Sequence, residues 1–184
     1  MTEGPAAPRI APLPAKGDAP TLNIFRTLDH NHELFKAFLT LGTHLLRGDV
    51  LPSREREIVI LRTGWRSGTE YEFGQHTLIG RDAGLTDDEI AALAEAGAPR
   101  WSDADRALVD MVDEICSDNV VSAATWQALA SRWTEPQLLE LVVLTGYYRL
   151  VSGLLNSAGV ALEAQTPGWP DGSQPVRRAP RDAS

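Results

Sequence analysis

Apolar residues along the chain recur at helical spacing and hardly ever alternate. Leu34, Phe35, Phe38, Leu41 and Leu45 mark one face of a helix predicted over 31–47. A second opens after "LPS", with Ser53 expected as its N-cap, and covers 53–67 up to Gly68. "TEYE" at 69–72 has the Thr-x-x-Glu form of a capping box and predicts a helix over 70–83, with Gly84 as its left-handed stop. "TDDE" at 86–89 repeats the signal for a helix over 87–96 that stops at Gly97. Ser102 and Ser122 are expected to cap helices over 103–117 and 123–132. "TEPQ" at 134–137 opens a last helix over 136–156, with proline in the first turn, where it is tolerated. No segment keeps period two long enough for a sheet, so the expected fold class is all-α.

The last helix is apolar nearly all round, from Leu138, Leu139 and Leu141 through Leu150, Val151, Leu154 and Leu155. One domain of this size has trouble covering such a helix on every side, so a homo-oligomer is expected. Residues 1–20 and 165–184 are rich in proline, alanine and glycine and read as disordered or extended arms. Residues 21–164 form the single expected domain.

Composition narrows the classes. The 184 residues are 43% hydrophobic and 23% charged, ordinary for one globular domain. A net charge of -8 disfavours nucleic acid and anionic membrane surfaces as partners. It leaves a small anionic ligand open, because a local arginine can override the global sign. Cys116 is the only cysteine, which excludes an internal disulfide, a CxxC pair and a cysteine-built zinc site. The N-terminus lacks the pattern of a secretory signal. Leu138 to Leu155 carries Arg149 and two tyrosines, which favours a buried helix over a membrane span and a cytoplasmic location.

Three polar residues fall where apolar ones belong. On a helical wheel, Glu57 lands within the arc of Ile60, Leu61, Gly64 and Trp65, opposite Arg62, Arg66 and Glu55. In the next helix His76 lies on an inner face with Phe73, Ile79, Gly80 and Ala83, and Glu72 sits one turn earlier. Thr77 and Arg81 are expected outside. The short link at Gly68 makes the two helices antiparallel neighbours, so Glu57, Glu72 and His76 can converge. Two carboxylates and an imidazole form a usable acid/base set, since burial and mutual repulsion separate their proton affinities. The plainer readings are a capping role for Glu72 with Thr69, and a buried helix-pairing bond from Glu57 to His76 or Arg56.

"LPSREREIVILRTGWRSGTEYEFGQHTLIGRDAGLTDDEIAAL", 51–93, resembles the carboxymuconolactone decarboxylase family, which includes alkylhydroperoxidase D-type proteins. The likeness extends into "HELFKAFLTLGTHLLRGD" before it and "ELVVLTGYYRLVSGLLNSAGVALE" after it. The resemblance implies an all-α helical bundle assembled as trimers, hexamers or dimers. It also implies a site around Glu57 of "RERE" and His76 of "GQH". In the peroxidase branch of the family Cys-x-x-Cys-x-x-x-His is found; here Thr69 and Glu72 occupy the cysteine positions. Neither forms a thiolate, so thiol peroxidase chemistry is not expected.

The expected function is therefore a cofactor-free decarboxylase or lyase acting on a small carboxylated lactone or enone. His76 is expected to donate to the developing oxyanion, Glu57 to shuttle the proton and Glu72 to orient the imidazole. The alternatives are a relative without redox cysteines that has another acid/base activity, or a non-catalytic helical oligomer that binds a small ligand. What separates them is whether Glu57 and His76 face open volume. His30 and His32 lack a third ligand, so no metal is expected. His44 reads as a surface residue, Cys116 as a small buried one, and Trp101, Trp126, Trp133, Tyr147 and Tyr148 as core or subunit-interface residues.

Overall fold

The computed structural model describes residues 8–15, 22–94, 101–170 and 175. Eight helices occupy the described residues, with no strand: α1 (Asn23–Leu28), α2 (His32–Arg47), α3 (Ser53–Arg66), α4 (Glu70–Asp82), α5 (Asp87–Leu93), α6 (Asp103–Asp118), α7 (Ala123–Ala130) and α8 (Glu135–Ala158). The end expected for α5 at Gly97 lies outside the described residues. α1 has no counterpart in the sequence expectation. It is only six residues long, and Leu22 at its N-cap supplies no side-chain bond. Burial of Ile24 and Leu28 holds it in place, together with the Glu163 carboxylate, which accepts from the Asn23 N–H at 2.7 Å.

α3 is the central helix. Every residue from Glu57 to Gly64 is buried, with α4, α6, α8 and α5 packed around it. Arg62, expected on the wet side, is only 3% exposed. Its guanidinium donates to both carboxylate oxygens of Asp113 on α6 at 2.7 Å and to the Leu93 carbonyl at 2.9 Å. Burial of the charge is offset by this bidentate pairing. A second correction concerns Ser53, which is the first helical residue rather than the cap. Pro52 holds the cap position, and its carbonyl accepts the Arg56 N–H at 3.1 Å.

The α3–α4 link turns on Gly68, whose φ of 62° lies in the left-handed region that glycine enters without steric cost. That turn sends the Thr69 N–H back to the Gly64 carbonyl at 2.9 Å, closing α3. Thr69 is the N-cap of α4, as expected, yet the expected capping box with Glu72 does not form. The donor that Glu72 would have accepted is already used. The boxes at Thr86–Glu89 and Thr134–Gln137 do form, and Ser102 and Ser122 cap α6 and α7. α8 is long and apolar enough to cross a membrane by length and composition, but Leu141, Leu144, Tyr148, Val151 and Leu155 are buried in the core.

Residues at the described ends of the chain lie against the domain without regular structure. Ile10 and Leu13 bond by their N–H groups to Ala158 and Arg26. Trp169 packs its ring on Trp65 and Phe73, at centroid distances of 5.2 and 5.3 Å.

Candidate active site

Close approach of α3 and α4 builds the site. At Gly64 an added Cβ would lie 3.3 Å from the Phe73 backbone nitrogen, and at Gly80 it would lie 3.3 Å from Leu61. Without those side chains the helices meet closely enough for Glu57 Oε2 to sit 2.6 Å from His76 Nδ1. On the far side of the ring, His76 Nε2 lies 3.6 Å from Glu72 Oε2. All three residues are buried, Glu57 completely. The Tyr148 ring stands edge-on to the imidazole at 5.0 Å, which fixes the ring plane.

The expected convergence of Glu57, Glu72 and His76 is present, but their positions differ. A cavity of about 300 Å³ opens on one side of the imidazole. His76 and Glu72 line it, with Tyr71, Tyr147 and Tyr148; Glu57 does not, lying behind the ring. Phe25 and Phe38 close the apolar wall opposite. Ile79, expected inside, is 42% exposed and borders this cavity, whereas Thr77, expected outside, is buried and donates to the Phe73 carbonyl at 2.8 Å. Arg56 makes an ion pair with Glu57, Nε to Oε1 at 3.7 Å, too long for a hydrogen bond.

The electrostatics follow from this arrangement. Burial alone would lower the proton affinity of His76, but the Glu57 carboxylate in contact with Nδ1 more than reverses that, with a further contribution from Glu72. The protonated form of the imidazole is therefore favoured. Burial pushes Glu72 up to about 7, and its repulsion from Glu57 adds to this while the His76 charge opposes it. At neutral pH both protonation forms of Glu72 are populated. The pair can thus present a fixed donor at Nε2 and an exchangeable proton beside it.

Some of the surrounding residues carry no sequence signal. Glu163, beyond α8, accepts from the Tyr71 hydroxyl at 2.8 Å and from Gln75 at 2.5 Å, bracing two cavity residues from behind. α1 supplies Ile24 and Phe25 to the wall, and its N-cap Leu22 joins them. Tyr147 donates to the Phe38 carbonyl at 3.1 Å, which ties α8 to α2 across the cavity. His30 and His32 are bound to the Ala11 carbonyl and Asp29, and no group of three metal-ligating side chains gathers among the described residues. His44 is largely exposed, and its Nε2 lies 3.9 Å from Glu140. Cys116 is partly buried, and burial raises its thiol.

Residues 32–114 match the carboxymuconolactone decarboxylase family. No curated protein matches the sequence. Solved structures do match the fold. A peroxidase-related protein from Silicibacter sp. TM1040 is 16% identical, with a TM-score of 0.74 over 90% of this chain and 97% of its own. An alkylhydroperoxidase AhpD core protein from Ralstonia eutropha JMP134 is 22% identical, with a TM-score of 0.70 over 77% of each chain. A variant of the debrominase Bmp8 in complex with 2,3,4-tribromopyrrole is 16% identical, with a TM-score of 0.72 over 84% of this chain and 91% of its own. The chain thus carries a carboxymuconolactone decarboxylase family match over residues 32–114, set in an all-helical fold that it shares with AhpD-like structures.

Proposed function

We propose that the protein is a cofactor-independent acid/base enzyme that decarboxylates a small carboxylated lactone or enone. The observation that carries this reading is the placement of His76 and Glu72 side by side on the wall of a largely apolar cavity. A vinylogous β-keto acid entering the cavity loses carbon dioxide when its C–C bond to the carboxylate breaks. The electron pair moves onto the conjugated carbonyl oxygen. The His76 Nε2–H donates to that oxygen as charge develops, in a water-poor site where one donor has a large effect. Neutral Glu72 then returns a proton to carbon and is itself reprotonated from solvent, so each turnover consumes one proton. Glu57 acts through the imidazole, favouring its protonated form and orienting it, rather than shuttling the proton to substrate, the role expected of it in the decarboxylation mechanism.

Cavity volume sets the size class at a single small ring. The debrominase relative, bound to a brominated pyrrole, supports that size for the fold. The reading extends to assembly as a homo-oligomer, with the exposed apolar stripe of α8 as the contact.

The test is turnover of carboxylated enol lactones, followed by release of carbon dioxide. His76→Ala removes the oxyanion donor, and a loss on the order of a hundredfold or more in kcat is expected. Glu72→Gln should lose a similar factor and, lacking the titrating carboxyl, should no longer show its share of the pH profile. Full turnover in both variants would make the cluster a structural feature and the reading wrong.

A further inference from the structure

The described arginines have partners almost without exception. Arg54 is held by Asp105 and Glu89, Arg62 by Asp113, Arg81 by Asp87, and Arg149 by the Ile115 carbonyl and Asn119. Arg47, the last residue of α2, differs. Its guanidinium makes no hydrogen bond or ion pair among the described residues. Its side chain is exposed, and it lines both the site cavity and the surface groove of residues 46–56 beside it. An unpaired guanidinium thus stands where the cavity meets the surface, on a chain whose net charge is -8.

We infer that Arg47 is the residue that anchors an anionic substrate, and that the group it takes is a carboxylate on a small unsaturated ring. This rests on the acid/base reading of the cavity and names the ligand's charge and orientation. Among the described residues that line the cavity, the one other basic side chain is His76, already bonded to Glu57. The remaining lining is mostly aliphatic and aromatic, which suits a flat ring. A lone planar guanidinium fork matches a carboxylate with two parallel N–H···O bonds. A phosphate would call for further donors, and the neighbouring Arg56 in the groove is drawn toward Glu57 instead. A carboxylate bound to Arg47 is stabilised as an anion, so it is the group retained. The one lost must sit at the other end of the ring, beside His76 and Glu72, where nothing cationic and unpaired holds it. Arg47 is in this sense a positioning and specificity residue.

Binding of benzoate and its uncharged isostere benzamide, followed through the His76 ring signals in NMR titrations, tests the inference without requiring turnover. The wild-type protein should favour benzoate by about tenfold or more, the value of a charge-assisted hydrogen bond. Arg47→Gln should bind the two ligands equally and leave benzamide affinity as it was, and Arg47→Lys should recover part of the preference. Because Arg47 is exposed and unpaired, the melting temperature of each variant should match wild type. Benzoate preference surviving in Arg47→Gln would overturn the inference. So would inorganic phosphate displacing benzamide as well as benzoate does, or neither ring perturbing His76. Failure of the decarboxylase reading looks different: the Arg47 results stand, but His76→Ala and Glu72→Gln leave turnover intact.

Discussion

Glu72 shows how one side chain is assigned by its neighbours. Thr-x-x-Glu before a helix ordinarily signals a capping box, and the same pattern at Thr86–Glu89 forms one. At Thr69 the backbone N–H is committed to closing α3, so Glu72 turns inward to His76. Its proton affinity supplies a stability test. The folded chain holds the Glu72 proton up to about pH 7, against 4.5 for an ordinary glutamate. Because the folded state binds this proton more tightly than the unfolded state, the contribution is complete below pH 4.5 and is lost as pH rises through 7. His76, raised above 6.5, adds loss of the same sign at higher pH. Thermal denaturation should therefore show stability falling between about pH 5 and 8, the Glu72 share being on the order of 2–3 kcal/mol. Glu72→Gln should remove that share of the slope and be the more stable protein above pH 7. An identical slope in both would mean that Glu72 is ionised throughout. Cys116 gives a second expectation at this scale. Cys116→Ser should leave turnover unchanged, and neither protein should reduce organic hydroperoxides with a dithiol, because there is no second cysteine to resolve an oxidised one. A thiol-dependent rate abolished by the substitution would contradict this.

Between elements, the α3–α4 contact decides the geometry of the site. At Gly64 a side chain would press on the α4 backbone at Phe73, where no flexible end can give way. Gly64→Val should cost about 1–3 kcal/mol through overpacking. It should also lengthen the Glu57–His76 bond and so lower the proton affinity of the imidazole, readable in an NMR titration. A destabilised variant whose His76 titrates as before would separate packing from the site. Asp113→Ala tests the other side of α3. It removes the carboxylate that balances the buried Arg62 charge, with an expected loss of about 3 kcal/mol in chemical denaturation. The wheel could place Glu57 and His76 on facing surfaces, because both helices are amphipathic enough to show an inner arc. It could not show that α6 covers the opposite face of α3, since the partner of Arg62 lies 51 residues away in sequence. Nor could it find α1, whose six residues have no side-chain cap and depend on Glu163 far along the chain. The cavity wall that α1 forms, and the position of Arg47 beside it, were hidden for the same reason: they depend on contacts between segments remote in sequence.

For the whole molecule, the question is what covers α8. Its inner face is core, but Leu139, Val143 and Leu150 are exposed, Leu139 at 67% and Leu150 at 59%. Gly146 and Gly153 fall on the same stripe with open space above them. Spacings of four, three, four and three residues keep these five positions on one line along the helix, the seam that two packed helices share. Beyond α8, Leu34 and Leu41 of α2 are also exposed, although the spacing of that helix suggested that both face the core. An apolar line of this length on an acidic chain favours a second copy over a charged partner, because apolar burial carries no like-charge penalty along the seam. Light scattering should accordingly show an oligomer at micromolar concentration. Leu150→Glu places a carboxylate in the middle of the seam and should shift the mass toward monomer, while the folded core, which Leu150 does not enter, keeps its helical circular dichroism. Leu139→Glu should act in the same direction, more weakly, from the end of the stripe. A wild-type monomer would leave the stripe to another occupant, and an oligomer indifferent to both substitutions would place the contact on a different face.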